Sequence, residues 1–488
     1  MATARRRRAR PRPRRRPVAA VRRVTRRIRR LALPPAPPFE RRQMTVEMVE
    51  RLFWRAGFGP SQGDRDRWTG RTLGETVDAL LATPQGPLAG PAPARNDRPA
   101  SPGLDPKADD ADLVLTWLDR MIRVPNPLPE RLAFFWHRHW ATSRADVSPV
   151  QLMIRQNELF RRHADLGANP GADFRTLAHE VGEDPAMLRF LTGEANVKGR
   201  PNENYARELM ELFCLGPLDP AGTPNYTEDD VRELARAMSG WRVDTANPDD
   251  PKSYFTASRW DGGVKTVLGQ AGAFGLRDAT DVVLSHPAHP GVLLRKLWSE
   301  LVTGPPDDAT LQDLVATYTA TGRRIAPVLR KILTHPQLFD SLGEPSMIKP
   351  PIVYVAGAMR GMGVGVTDRV PYDRLNEMGQ QPYFPPNVSG WEYGLAWLTT
   401  NTAIARWRFA SYLVNRADVA PQDVPGETPD AAVDRAHAAC GRPWLSAQSR
   451  VQILDYATRA RVDTAGRRRA RQLLLRAMII AGPDGQVM

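Results

Sequence analysis

Leu132-Ala133-Phe134-Phe135-Trp136-His137-Arg138-His139-Trp140, preceded by Pro129-Glu130-Arg131, decides between a helical and a sheet-built protein. Proline ahead of an apolar run, with an acid beside it, is a helix-start pattern. On a helix, residues two apart point about 200° apart. His137 and His139 would then face opposite ways, and one metal ion could not take both rings from a straight helix. Apolar side chains cover nearly the whole circumference, which sends such a helix into the core. As a strand, the two histidines would share a face and a metal reading would return. The pair therefore stands either as hydrogen-bonded core residues or as ligands.

Working outward, the same 3.6-residue spacing recurs along the chain. A threonine-capped helix opens at Thr45 and ends by Gly57 and Gly59-Pro60, and Thr72 caps a second through Leu81. Residues 83–108, rich in Pro, Ala, Gly and Asp, read as a long surface loop. Helical patterns follow at 110–124, 127–140, 148–165, 173–192, 202–215, 227–241, 277–302, 308–320, 323–336 and 346–361. The stretch 363–400 reads as irregular, and helices return from 402. The one β signal lies at 253–268, where two β-leaning runs flank Asp261-Gly262-Gly263 as a hairpin. The expected fold class is mainly α: a large multi-helix body with at most that small hairpin. The expected organisation is a disordered tail (1–39), a helical core (40–415) and a C-terminal helical extension (416–488).

Arg200-Pro201-Asn202-Glu203-Asn204-Tyr205-Ala206-Arg207-Glu208-Leu209-Met210-Glu211-Leu212-Phe213 is the most structured polar motif. A helical wheel puts Tyr205, Ala206, Leu209, Leu212 and Phe213 on one face and Glu203, Asn204, Arg207, Glu208 and Glu211 on the other. Glu208 and Glu211 are three apart and Asn204 and Glu208 four apart, so their side chains can converge on one ion or water. Two such carboxylates can be half of a hard-metal site or a general acid and base pair. They can equally be a solvated face with Glu203-Arg207-Glu211 ion pairs. Thr227-Glu228-Asp229-Asp230 is explained by capping and the helix dipole. Gly379 to Trp391, rich in Pro and aromatics, has the make-up of a loop that lines a binding site or caps a core edge. No Walker A, dinucleotide G-x-G-x-x-G or H-E-x-x-H pattern occurs, so no nucleotide cofactor is expected.

The charge is uneven. Of a net +14 over 488 residues, positions 1–39 hold 15 Arg and no acid, which leaves 53 basic against 54 acidic groups in the body. The tail, not the body, is basic, and residues 5–30 fit contact with a polyanion, a solvated extension or a start codon placed too early. Thr25-Arg26-Arg27-Ile28 has the look of a twin-arginine export motif, but Leu31-Ala32-Leu33 runs straight into Pro34-Pro35 in place of an apolar stretch. On that missing stretch alone a cytoplasmic location is the expectation, with the compartment left open, and no transmembrane segment is expected. Cys214 and Cys440 belong to no metal or disulfide pattern.

Taken together, these segments resemble the bacterial family catalogued as domain of unknown function 1800. The resemblance rests on Arg55-Ala56-Gly57-Phe58-Gly59-Pro60, Phe135-Trp136-His137 with His139, Asp184-Pro185-Ala186-Met187-Leu188 and Pro201 to Glu208 with Glu211. It continues through Tyr226 to Val231, Gly240-Trp241, Met378-Gly379-Gln380, Pro385-Pro386-Asn387-Val388 and Gly390-Trp391. It implies a helical, often exported protein whose gene commonly neighbours one for an alkaline phosphatase or sulfatase-like protein, a partner by implication. The leading expectation is an enzyme of hydrolytic or transfer type acting on an envelope or polymer substrate. Glu208, Glu211, Asn204 and Arg207 would be catalytic, and Trp136, Gln380, Asn387 and Trp391 would bind substrate. His137, His139, Glu208 and Glu211 would form a set able to take a divalent metal ion. The alternative is a non-catalytic helical scaffold for the phosphatase-like partner.

Overall fold

Helix starts follow the capping chemistry of the sequence. In the computed structural model, which describes residues 38–61, 63–416 and 424–488, Thr45 accepts from the Met48 amide at 3.3 Å and opens Val46–Arg55. Thr72 with Glu75 and Thr227 with Asp230 form reciprocal capping boxes at Leu73–Ala82 and Glu228–Ala237. Asp109, Asp173 and Asp184 each hold an amide three residues on. The tail residues 1–37, and with them the polyanion segment 5–30, lie outside the described residues.

The protein is mainly α-helical: twenty α-helices and two small two-stranded sheets are found among the described residues. Expected helices split where proline intervenes. The 173–192 pattern becomes Phe174–Gly182 and Pro185–Phe190, because Pro185 forces Asp184 into an extended conformation. The 277–302 pattern breaks likewise before Pro287, into Leu276–Ser285 and Ala288–Leu301. A helix at Val370–Glu377 lies in the stretch read as irregular.

The hairpin expected at 253–268 is corrected in its pairing. Both runs are strands, but they do not pair with each other. Four strands are present: β1 (Trp241–Asp244), β2 (Lys252–Phe255), β3 (Lys265–Val267) and β4 (Gln270–Gly272). β2 pairs back onto β1, and β3 pairs forward onto β4, both antiparallel. The β3–β4 turn is Leu268-Gly269 with φ of 48° and 76°, the two positive φ values a tight hairpin needs. Asp261-Gly262-Gly263 is instead a side-chain turn: the Asp261 carboxylate accepts from the Gly263 amide at 3.0 Å and pairs with Arg236 at 2.8 Å.

Residues 38–488 form one unit. Its core holds four fully buried tryptophans, Trp117, Trp136, Trp140 and Trp298. Segments beyond Arg416 share that core: Ala465–Ala481 packs on Thr400–Arg416, Lys349 N–H donates to Gln486 C=O at 2.8 Å, and Arg55 reaches the Met488 carbonyl at 2.9 Å. None of the described helices is long and apolar enough to cross a membrane.

Candidate functional site

The histidine segment lies on Leu128–His139, every residue of which is buried. Helical spacing sends the two rings into different aromatic walls. His137 sits among Trp117, Tyr383 and Trp391, with centroids 5.4–5.7 Å away, and its Nε2 accepts from the Tyr383 amide at 2.9 Å. His139 stacks on Phe135 at 5.9 Å and meets Trp140, Phe174 and Phe213. Burial pushes His137 down to about 3 and His139 well below its ordinary value, so both rings are neutral at physiological pH. Arg131 and Arg138, on the same helix, are both paired to Glu300, at 3.0 and 3.2 Å.

The second motif is not one regular helix. Asn204–Glu208 is α-helical, and Leu209–Cys214 widens into a π-turn in which the Leu215 amide reaches back to the Met210 carbonyl at 2.8 Å. Pro217 has no N–H to continue that ladder toward Leu212, whose carbonyl accepts instead from Lys296 Nζ at 2.5 Å. Tyr205, Ala206, Leu209 and Phe213 are buried, while Glu208 and Glu211 are half-buried on the outer side and Asn204 is exposed. Arg207 does not bridge to Glu211. It grips Glu228 with two bonds of 2.7 and 2.8 Å and reaches Glu203 at 3.3 Å. Glu211 accepts from the Tyr226 hydroxyl at 3.3 Å. Burial, then the neighbouring charge of Glu211, raise Glu208 above its usual range, with Arg207 opposing. Burial and Glu211 also push the Tyr226 hydroxyl up to about 12.

These placements separate the four residues expected to hold a metal. Glu208 and Glu211 are brought together, but the histidines are not brought to them: Phe213, on the inner side of the π-turn, is what His139 touches. Among the described residues no three His, Cys, Asp or Glu side chains are grouped so as to hold a metal ion.

Of the residues expected to bind substrate, only Asn387 reaches solvent, and its Oδ1 accepts from the Ser389 amide at 2.9 Å. Trp136 is fully buried. Gln380 accepts from the Ile352 amide at 3.0 Å, holding the start of Pro351–Met362. Trp391 stacks on Phe134 at 5.5 Å with planes 17° apart, and its carbonyl takes the Arg138 guanidinium. The 379–391 loop is thus a wall of the aromatic core.

A second group of polar residues escaped the reading of the sequence. Glu50 and Trp54, one turn apart on Val46–Arg55, meet Arg65 and Lys349 beside a cleft of about 290 Å3. Arg65 pairs with Glu50, and Trp54 Nε1–H donates to the same carboxylate at 3.2 Å. Burial raises Glu50 despite Arg65, and burial lowers Lys349 to about 7 against the opposing pull of Glu50. The signal was present in Glu50 and Trp54, a charged residue and a tryptophan at i and i+4 next to Gly57 and Gly59. Gly59, at φ of 85°, is where a Cβ would stand 2.9 Å from the Trp54 ring.

A family model described as a protein of unknown function, DUF1800, matches residues 51–487. The chain belongs to that family. No curated protein and no solved structure matches it. The matched span of this DUF1800 chain takes in both the Glu208–Glu211 face and, at the cleft, Trp54, Arg65 and Lys349. The family description assigns no reaction.

Proposed function

We propose that the Glu208–Glu211 pair performs general acid–base chemistry, hydrolytic or group-transferring, on a polymer such as an envelope polysaccharide. What carries this reading is the asymmetry of the pair. Glu208 is raised by burial and by its neighbour's charge, while Glu211 is held by the Tyr226 hydroxyl at 3.3 Å. A carboxyl raised above its usual range, beside a second one that a hydroxyl orients, has the parts of acid–base catalysis at neutral pH. Glu208 is the proton donor and Glu211 the partner that the Tyr226 hydroxyl orients. Arg207, clamped to Glu228, fixes the first helical turn, and exposed Asn204 meets the substrate one turn before Glu208. A half-exposed face suits a long chain lying across it. The π-turn that starts directly after Glu208 and carries Glu211 adds support, since such turns cluster at functional sites.

The test is product release from a panel of envelope polysaccharides. Glu208→Gln should lower turnover at least about 100-fold, with the melting temperature retained. Equal activity in wild type, Glu208→Gln and Glu211→Gln would sink the reading.

A second reading, a scaffold for a phosphatase- or sulfatase-like protein, is favoured by exposed Leu395, Leu398, Ile404 and Trp407. Trp407 also borders a groove of about 610 Å3 with Leu445, Ile453 and Met478. Under it, Trp407→Asp abolishes co-elution with that partner, and Glu208→Gln does not. Polyanion binding by residues 5–30 is a separate proposal: deletion of residues 2–38 should abolish retention on heparin at low salt.

A further inference from the structure

The cleft beside Glu50 shares no residue with the Glu208–Glu211 face. Its walls are aromatic: Trp54 on one helix and Trp444 on the segment that follows Pro443. Its charge is lopsided. Arg51, Arg65, Lys349 and Arg442, with His437, line it against Glu47 and Glu50; Arg51 is spent on the Leu338, Asp340 and Ser341 carbonyls, and Glu50 is already taken by Arg65 and Trp54. Lys349 is 3% exposed, lies 3.9 Å over the Trp54 ring and donates to the Gly485 carbonyl at 3.0 Å. Among the described residues it has no carboxylate within ion-pair distance. A buried ammonium without a counter-charge is costly, and that cost is visible in Lys349 being pushed to about 7. Arg442 stands exposed at the rim, its guanidinium in no hydrogen bond or ion pair among the described residues, while its carbonyl accepts from Arg65 at 3.1 Å. The volume, about 290 Å3, suits one ring and one acid group.

We propose that this cleft binds a small aromatic anion, a carboxylate or a phosphate ester, with its ring against Trp54 and Trp444 and its acid group on Lys349 and Arg442. The anion supplies the counter-charge that Lys349 lacks, and the two indoles supply the stacking surface.

The chain holds only seven lysines, so lysine chemistry reads the site directly. The probe is pyridoxal 5′-phosphate, an aromatic phosphate ester carrying an aldehyde. Lysine Nζ adds to the aldehyde carbon, water leaves to give the imine, and hydride from added borohydride fixes it as a secondary amine that peptide mass mapping locates. Lys349 should be labelled at least about tenfold over exposed Lys107, Lys198 and Lys252. Phenyl phosphate or benzoate should protect it, the stronger protector naming the acid group, and inorganic phosphate at the same concentration should not. Arg442→Gly removes the rim charge where φ of 53° suits glycine, so the fold is kept. That variant should need about tenfold more phenyl phosphate for the same protection. Labelling spread over the exposed lysines, equal protection by inorganic phosphate, or unchanged protection in Arg442→Gly each overturns the proposal.

Discussion

His137–His139 and Glu208–Glu211 are both short runs of polar residues, two and three apart, on neighbouring stretches of helix that meet through His139 and Phe213. Folding treats them oppositely. The histidines point inward and lose their charge: His137 accepts from the Tyr383 amide and His139 packs among the rings of an aromatic core. The glutamates point outward and keep one carboxyl raised and one bonded to Tyr226. Residue type and spacing make the two look alike as chemistry. What separates them is the face each occupies, because a neutral imidazole is tolerated among rings where a carboxylate would have to be paired.

The largest expected effect lies on the inner side. Glu300 holds both Arg131 and Arg138, and Arg131 is 2% exposed. Glu300→Ala strands a buried guanidinium, and denaturant unfolding should show a loss of about 3–5 kcal/mol. A loss below about 1 kcal/mol would mean that packing alone holds that helix, and the inner side would then differ from the outer in shape only.

Next is the contrast between the two histidines. His137→Ala removes the acceptor for the Tyr383 amide and opens a hole among rings, at a cost of about 2–4 kcal/mol. His139 makes no hydrogen bond of good geometry with either ring nitrogen, so His139→Phe should cost under about 1.5 kcal/mol. Equal costs in the same unfolding assay would show that both rings do the same job.

Asp184 tests what happens to an acid placed on the inner side. It caps Pro185–Phe190 through the Met187 amide at 3.0 Å and accepts from Gln156 at 2.8 Å, and burial pushes it up to about 7. A carboxyl raised on folding binds its proton more tightly in the native state, so its contribution is full below the unfolded value near 3.8 and is lost as pH rises through about 7. Wild type should therefore lose on the order of 1–3 kcal/mol between pH 5 and pH 8 relative to Asp184→Asn. Unfolding curves that fall in parallel for the two proteins would place the charge of Asp184 in a better solvated setting than its burial implies.

Much of this architecture was legible in the sequence because helix starts are local events. Thr45, Thr72 and Thr227 announce their helices by side chains that reach only three residues along. Helix interruptions at Pro185 and Pro287 were equally written in the chain but were outvoted by the apolar spacing on either side. Strand pairing was not legible: whether Ser253–Phe255 pairs forward or back depends on Trp241–Asp244, some ten residues earlier, and on the Leu268-Gly269 turn. The Glu208–Glu211 neighbourhood was readable as a local i, i+3 relation. The cleft was not, because Glu50, Arg65, Lys349 and Arg442 come from four distant segments, and only tertiary packing sets them side by side.

The smallest stability effect, and the sharpest on the comparison, belongs to the outer side. Glu208 is half-buried and its side chain makes no hydrogen bond in the described residues, while the neighbouring charge of Glu211 is one of the two causes that raise it. Glu208→Gln should leave stability at pH 7 within about 0.5 kcal/mol of wild type, since a surface site without a partner has little to lose. Glu211→Gln should move Glu208 itself. Removing the like charge takes away the second cause of its rise and leaves burial, so its titration followed by carboxyl NMR should shift down toward 4.5 without reaching it. A Glu208 that titrates unchanged in Glu211→Gln would mean the two carboxyls do not sense each other. The outer pair would then be two separate surface acids, and its contrast with the histidine segment would shrink to one of exposure.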